Sequence, residues 1–199
     1  MLTPPRLVVG LGNPGESYAR TRHNLGFRAV EALAGRLGIG LGGEECGARF
    51  GAAEGVVLAL PQTYMNRSGF AVRCLADRHG VAPQDVLLVY DEVALPLGRL
   101  RARASGGAAG HRGMESVIEN LRSDQAPRLR LGVGPQEPPP AGTDVADFVL
   151  APFTDGEEKV LERLLPVAVE AQQLFLAEGI EAVMNRFNGF DLRGEADLG

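Results

Sequence analysis

Apolar residues recur along this chain in two rhythms, and each marks a kind of element. Residues 6–12 (RLVVGLG) form a short apolar run that ends in a glycine turn, as a buried strand does. Residues 24–37 place Leu25, Val30, Leu33 and Leu37 among Arg28, Glu31 and Arg36, which predicts an amphipathic helix stopped by Gly38. Residues 48–53 and 55–60 read as a hairpin turning near Gly55. Residues 66–79 predict a second helix ended by Gly80, and 86–90 (VLLVY) a strand buried on both faces. Residues 99–103 alternate arginine with Leu or Ala, so Arg99, Arg101 and Arg103 are expected on one wet face. A glycine loop (105–110, SGGAAG) leads to a helix from His111 to Leu121, then a strand over 128–133 and a proline-rich loop over 135–141. From Thr154 a long helical pattern opens with a capping box to Glu157; Pro166 is expected to kink or divide it. A short helix over 180–187 closes the pattern. Strands alternating with helices predict an α/β domain with a largely parallel sheet covered on both faces. No internal repeat and no second domain is visible, so residues 1–199 read as a single domain.

Composition narrows this little. With 45% apolar and 23% charged residues the chain is ordinary globular protein, large enough to bury a real core. A net charge of -5 weighs against a globally basic nucleic-acid binder but leaves room for a local basic patch. The two cysteines, Cys46 and Cys74, do not make a disulfide framework, and no CxxC occurs. His23, His79 and His111 have no metal-ligand spacing, so no metal is expected. No apolar run is long enough to span a membrane, and the N-terminus does not read as a secretion signal. A cytoplasmic location is expected.

Gly10-Leu-Gly12-Asn-Pro-Gly15 fits the dinucleotide-binding fingerprint directly after a strand. Its context disagrees. Asn13-Pro14-Gly15 is a turn signature, the next helix opens near Asn24, and no acid ends a second strand at the required distance. No phosphate-binding P-loop and no nucleophile elbow occurs either.

What remains is Asn13, His23, Asn66 and Asp91, each at or just past the end of a predicted element. In an open α/β sheet the carboxyl ends of strands are where ligands bind. An aspartate there can orient a histidine, and the histidine can then deprotonate water. Asparagine amides can donate to an oxyanion or pin a carbonyl. Each also has a structural alternative. Asn13 and Asp91 suit turns, and His23, Asn24 and Asn66 suit helix caps.

The chain also resembles the bacterial-type peptidyl-tRNA hydrolase family. The resemblance rests on Gly10–Gly15 with Tyr18, Thr21–Asn24, Thr63–Asn66 with Ser68-Gly69, Asp91-Glu92 with Leu95-Pro96 and Gly98, and Ser105–His111, in order over residues 6–190. It implies a single, monomeric α/β domain, a mixed twisted sheet between helices in a three-layer sandwich. It implies hydrolysis of the ester between a peptide, or an N-blocked amino acid, and the 3′ end of tRNA, with no cofactor. By motif position His23 is then the general base and Asp91 its orienting partner. Asn13 and Asn66 bind the substrate and help polarise the ester, and Tyr18 and Met65 line the cleft. Arg103 and Arg130 stand where the family grips a tRNA phosphate.

One position departs from the family pattern. The glycine loop normally ends Gly-His-Asn-Gly, and here it reads Gly110-His111-Arg112-Gly113. Arginine is always charged and donor-only, so it cannot accept a hydrogen bond from water. Arg112 can donate to the oxyanion or to a terminal phosphate, or point away while another donor serves. The third possibility is an impaired site in a relative that only binds RNA. The basic segment lies nearby: between Leu97 and Arg130 stand seven arginines (99, 101, 103, 112, 122, 128, 130) against Glu115, Glu119 and Asp124, a local net of +4.

Overall fold

Five residues, Arg6–Gly10, form the first strand, β1, and their alternation sets the layers. Val8 enters one apolar cluster, Leu7 and Val9 the other. The computed structural model describes residues 4–135 and 144–192. The other strands are β2 (Gly43–Glu45), β3 (Ala48–Ala53), β4 (Val56–Pro61), β5 (Val86–Pro96), β6 (Leu100–Arg103) and β7 (Arg128–Gly134). They make one seven-stranded sheet in the order β2-β3-β4-β1-β5-β7-β6. The central strands β4, β1, β5 and β7 are parallel neighbours, while β2, β3 and β6 join antiparallel. The sheet is therefore mixed, as the resemblance implied, with its antiparallel pairing at both edges.

The helices are α1 (Leu25–Leu37), α2 (Ser68–His79), α3 (Arg112–Leu121), α4 (Val145–Leu150), α5 (Asp155–Glu178) and α6 (Ile180–Phe187). On one face Val8, Leu58 and Leu87 pack with Leu33 of α1, Leu164 and Phe175 of α5 and Phe187 of α6. On the other, Leu7, Val9 and Leu88 pack with Val72 and Leu75 of α2 and Met114 and Val117 of α3. Three layers result.

Gly10 and Gly12 of the fingerprint serve this packing. A Cβ on Gly10 would meet the Gly26 carbonyl oxygen at 2.4 Å, and one on Gly26 would meet that of Val89 at 2.2 Å. They let α1 press onto β1 and β5. No α-helix starts at them; Gly15 leads only into a 3-10 turn at Glu16–Tyr18. Glu44 and Glu45 lie in the antiparallel strand β2, where neither can take the place of a ribose-binding acid.

Several expectations shift. Cys46 and Cys74 do pair, tying the turn between β2 and β3 to α2. Neither is free, and a separation of 28 residues gave no hint of it. Pro166 does not divide α5, which runs unbroken for 24 residues from its Thr154–Glu157 capping box. Pro166 and Glu162, whose carbonyl loses its i+4 donor, both lie on the exposed side, while Leu161, Leu164 and Ala168 carry the apolar stripe across. Arg99 precedes β6 and pairs with Asp191 at 3.2 Å, so only Arg101 and Arg103 share the exposed face. The expected loop over 135–141 lies outside the described residues apart from Pro135. Among the described residues no helix is long and apolar enough to cross a membrane.

Candidate active site

Three adjacent parallel strands deliver their carboxyl ends to one place. Asn13 follows β1, Asp91 ends the buried run of β5, and Met65–Arg67 form a 3-10 turn after β4. His23 sits in a second 3-10 turn, Arg22–Asn24, that leads into α1. Asn13, His23, Met65, Asn66, Asp91 and Arg112 line one cleft of about 470 Å³, and α4 lines another side. The crevice at strand carboxyl ends is where an open α/β sheet binds its ligand.

His23 Nδ1 lies 2.9 Å from Asp91 Oδ1 and 3.1 Å from Oδ2. A second imidazole meets the same carboxylate, with His111 Nε2 at 3.2 Å from Oδ1. The tautomers follow from the partners. The Met114 backbone N–H donates to His111 Nδ1 at 3.2 Å, capping α3, so the His111 proton is on Nε2 and donates to Asp91. His23 donates through Nδ1, which leaves its Nε2 as an acceptor for the cleft. Asp91 is buried, and burial opposes its ionisation. The hydrogen bonds from His111 and His23 outweigh this and hold its carboxyl well below the ordinary carboxylate range.

Among the described residues these three side chains are the one group whose ligating atoms converge enough for a metal, all within 4.8 Å. Sequence spacing did not show it. To bind through Nε2, His111 would have to move its proton to Nδ1, against the Met114 N–H. The donor set therefore fits two shared protons better than a cation.

Asn24 stands at the N-cap of α1, but its side chain makes no capping bond. Its Oδ1 accepts from the Asn13 backbone N–H at 2.9 Å and its Nδ2 donates to the Asn13 carbonyl at 2.8 Å. Asn13 Oδ1 in turn accepts from the Met65 backbone N–H at 2.8 Å. That N–H is a donor, so the Asn13 amide is fixed with Nδ2 left over to donate. Asn66 is exposed at the cleft, and Arg67, not Asn66, is the cap residue of α2. Arg112 opens α3, is exposed, and has no hydrogen-bond partner among the described residues. Tyr18 is not among the lining residues. Its 3-10 turn is closed through its carbonyl, which accepts from Thr21 N and Oγ1.

The model of one family, peptidyl-tRNA hydrolase, matches residues 7–195. The chain belongs to the peptidyl-tRNA hydrolase family. A Synechococcus relative named peptidyl-tRNA hydrolase is 51% identical over 197 residues, covering 95% of this chain and 85% of its own. One from Chloroflexus aggregans is 45% identical, covering 92% and 98%. The crystal structure of peptidyl-tRNA hydrolase from Acinetobacter baumannii matches with a TM-score of 0.86 at 33% identity, over 96% of this chain and 98% of that one. These comparisons lend no support to an inactive RNA-binding relative.

A smaller cavity adjoins the first and brings Arg103 and Arg130 together beside the glycine loop. Arg103 is exposed, but Arg130 is held by Glu92, with Nη1 at 3.0 Å from Oε2. Arg128 also lines this cavity, but its guanidinium is turned inward. It is 2% exposed and donates to the carbonyls of Gly107 (2.8 Å), Asp124 (3.1 Å) and Ala126 (3.2 Å), so it braces the loop. Sequence reasoning did not assign His111, Asn24 or Glu92 to the site. His111 and Asn24 sit inside matched motifs and Glu92 beside Asp91, and that adjacency was the available signal.

Proposed function

We propose that the chain hydrolyses the ester joining a peptide, or an N-blocked amino acid, to the 3′ end of tRNA, with His23 as general base. The observation that carries this is the His23–Asp91 pair, its Nδ1 committed to a buried carboxylate and its Nε2 left for the cleft. Nε2 takes a proton from water while the oxygen attacks the ester carbonyl. Asp91 supports the imidazolium that forms. Asn13 Nδ2 and the Asn66 amide donate to the developing oxyanion. The imidazolium then returns the proton to the ribose oxygen as the bond to the peptide breaks. Arg112 adds a cation that donates to the oxyanion or to the terminal nucleotide's phosphate, and Arg103 takes a phosphate of the tRNA with Arg130 beside it, restrained by Glu92. No step needs a cofactor. The reaction belongs with translation, in the cytoplasm.

Single-turnover hydrolysis of N-acetyl-aminoacyl-tRNA tests this. His23→Ala is expected to slow release of tRNA by about 10²- to 10⁴-fold with its fold intact by circular dichroism. A variant that keeps most of the rate would remove His23 from the chemistry.

A further inference from the structure

The turn that carries His23 also carries a buried arginine, and its partners all lie at the junction of α4 and α5. Arg22 Nη1 donates to the carbonyls of Ala151 at 3.2 Å and Pro152 at 3.0 Å, just past the end of α4. Its Nη2 forks onto Glu157, at 2.9 Å from Oε1 and 2.7 Å from Oε2. Glu157 completes the α5 capping box with Thr154, its Oε2 accepting from Thr154 N at 2.8 Å. The guanidinium lies 4.5 Å from the centre of the Phe148 ring and 5.3 Å from that of Phe153. The backbone joins in, with Arg22 N–H donating to Ala151 O and Phe153 N–H to Arg20 O, both at 3.2 Å. The junction of α4 and α5 is thus wrapped around one side chain.

What that junction holds is a wall of the cleft. Val145, Ala146, Val149 and Leu150 of α4 line it, with Val145 59% and Leu150 42% exposed. Six residues are too few to be helical on their own, so tertiary contacts must fix α4 in place. A cation at its carboxyl end also complements the helix dipole.

We infer that Arg22 is a positioning residue: it sets the α4 wall at a fixed place relative to His23, and so governs how well the ester substrate is held rather than how fast it is cleaved. This rests on the assignment of the cleft to that substrate. A plain buried ion pair would add little net stability. Arg22 instead spends its fork and two carbonyl bonds on the one junction that connects base and wall. Lysine keeps the charge but not the planar fork.

Steady-state kinetics of Arg22→Lys and Glu157→Gln on N-acetyl-aminoacyl-tRNA, well below the unfolding midpoint of each, test the inference. Arg22→Lys is expected to raise KM about five- to tenfold with kcat within about twofold of the parent. The pH dependence of kcat should superimpose on the parent's, because the His23–Asp91 bonds do not involve Arg22. Glu157→Gln, which loosens the fork and spares the carbonyl bonds, should move KM the same way by less, and it carries the test if Arg22→Lys does not fold. An unchanged KM with a lowered melting temperature makes Arg22 merely structural and overturns the inference. A fall in kcat with a displaced pH profile overturns it too, since Arg22 would then act through His23. Failure of the functional reading looks different: the parent protein itself would not turn over, or would do so without His23.

Discussion

Asp91 holds two imidazoles with one carboxylate, and its replacement separates its roles. In Asp91→Asn the side chain offers one acceptor and an NH₂ where two N–H donors now converge. One ring must change tautomer or swing away. Turnover is expected to fall by about 10²-fold or more, read by single-turnover release of tRNA. The depressed pKa of Asp91 adds a stability signature. A folded-state pKa below the unfolded one stabilises above the unfolded value of about 4 and loses that contribution as pH falls further. The parent should therefore exceed Asp91→Asn in urea stability at pH 7, and the gap should narrow by pH 3. A gap that stays constant or widens would mean the carboxylate is not held by the two histidines. Asp91 was legible because an acid just after a buried strand sits at the ligand-binding end of the sheet. His111 was not, because its part depends on where α3 lands in space, 20 residues further on.

Helices α2 and α3 approach so closely at Gly69 that the element, not the residue, decides what is tolerated. A Cβ there would meet the Ser116 carbonyl oxygen at 2.0 Å and Asn120 Nδ2 at 2.7 Å. The Gly69 N–H donates to Ser116 Oγ at 3.0 Å, which fixes the crossing. Gly69→Ala must push the helices apart, at a cost of about 1–3 kcal/mol. The turn holding Met65 and Asn66 immediately precedes α2, and His111 caps α3, so turnover should fall as well although Gly69 does not line the cleft. Urea midpoints with parallel single-turnover assays check both, and an unchanged midpoint would show that the crossing has slack. The same scale explains what sequence periodicity reached. The predicted helices at α1 and α6 and the β3–β4 hairpin emerge within about a residue, because each has its own stripe or alternation and a glycine at an end. Three-residue β2 and six-residue α4 are too short to carry a period, and they exist through the partners they pack on. The proline break expected in α5 gave way because tertiary burial of the stripe outweighed one lost hydrogen bond at the solvent side.

For the molecule as a whole, a net charge of -5 must be reconciled with a polyanionic substrate. The local +4 of residues 97–130 was the sequence's answer, and folding trims it. Arg128 faces inward, Arg99 is paired with Asp191, and Arg130 is shared with Glu92. Among the described residues, the guanidinium beside the second cavity with no hydrogen-bond or ion-pair partner is that of Arg103. Electrostatic grip on tRNA should then rest on few contacts, giving a shallower salt dependence than seven exposed arginines would. Two substitutions test this in opposite directions. Arg103→Ala should weaken tRNA binding and lower the slope of log K against log salt concentration by about 1, while short nucleotide esters that do not reach the cavity react as before. Glu92→Gln should release Arg130, tighten tRNA binding and steepen the slope by about as much. Equal losses on tRNA and on short esters for Arg103→Ala would point to damage at the cleft. A Glu92→Gln variant with the parent's slope would mean that Arg130 already reaches phosphate despite its partner. The acid beside Asp91 would then be a brace for β5 rather than a limit on affinity.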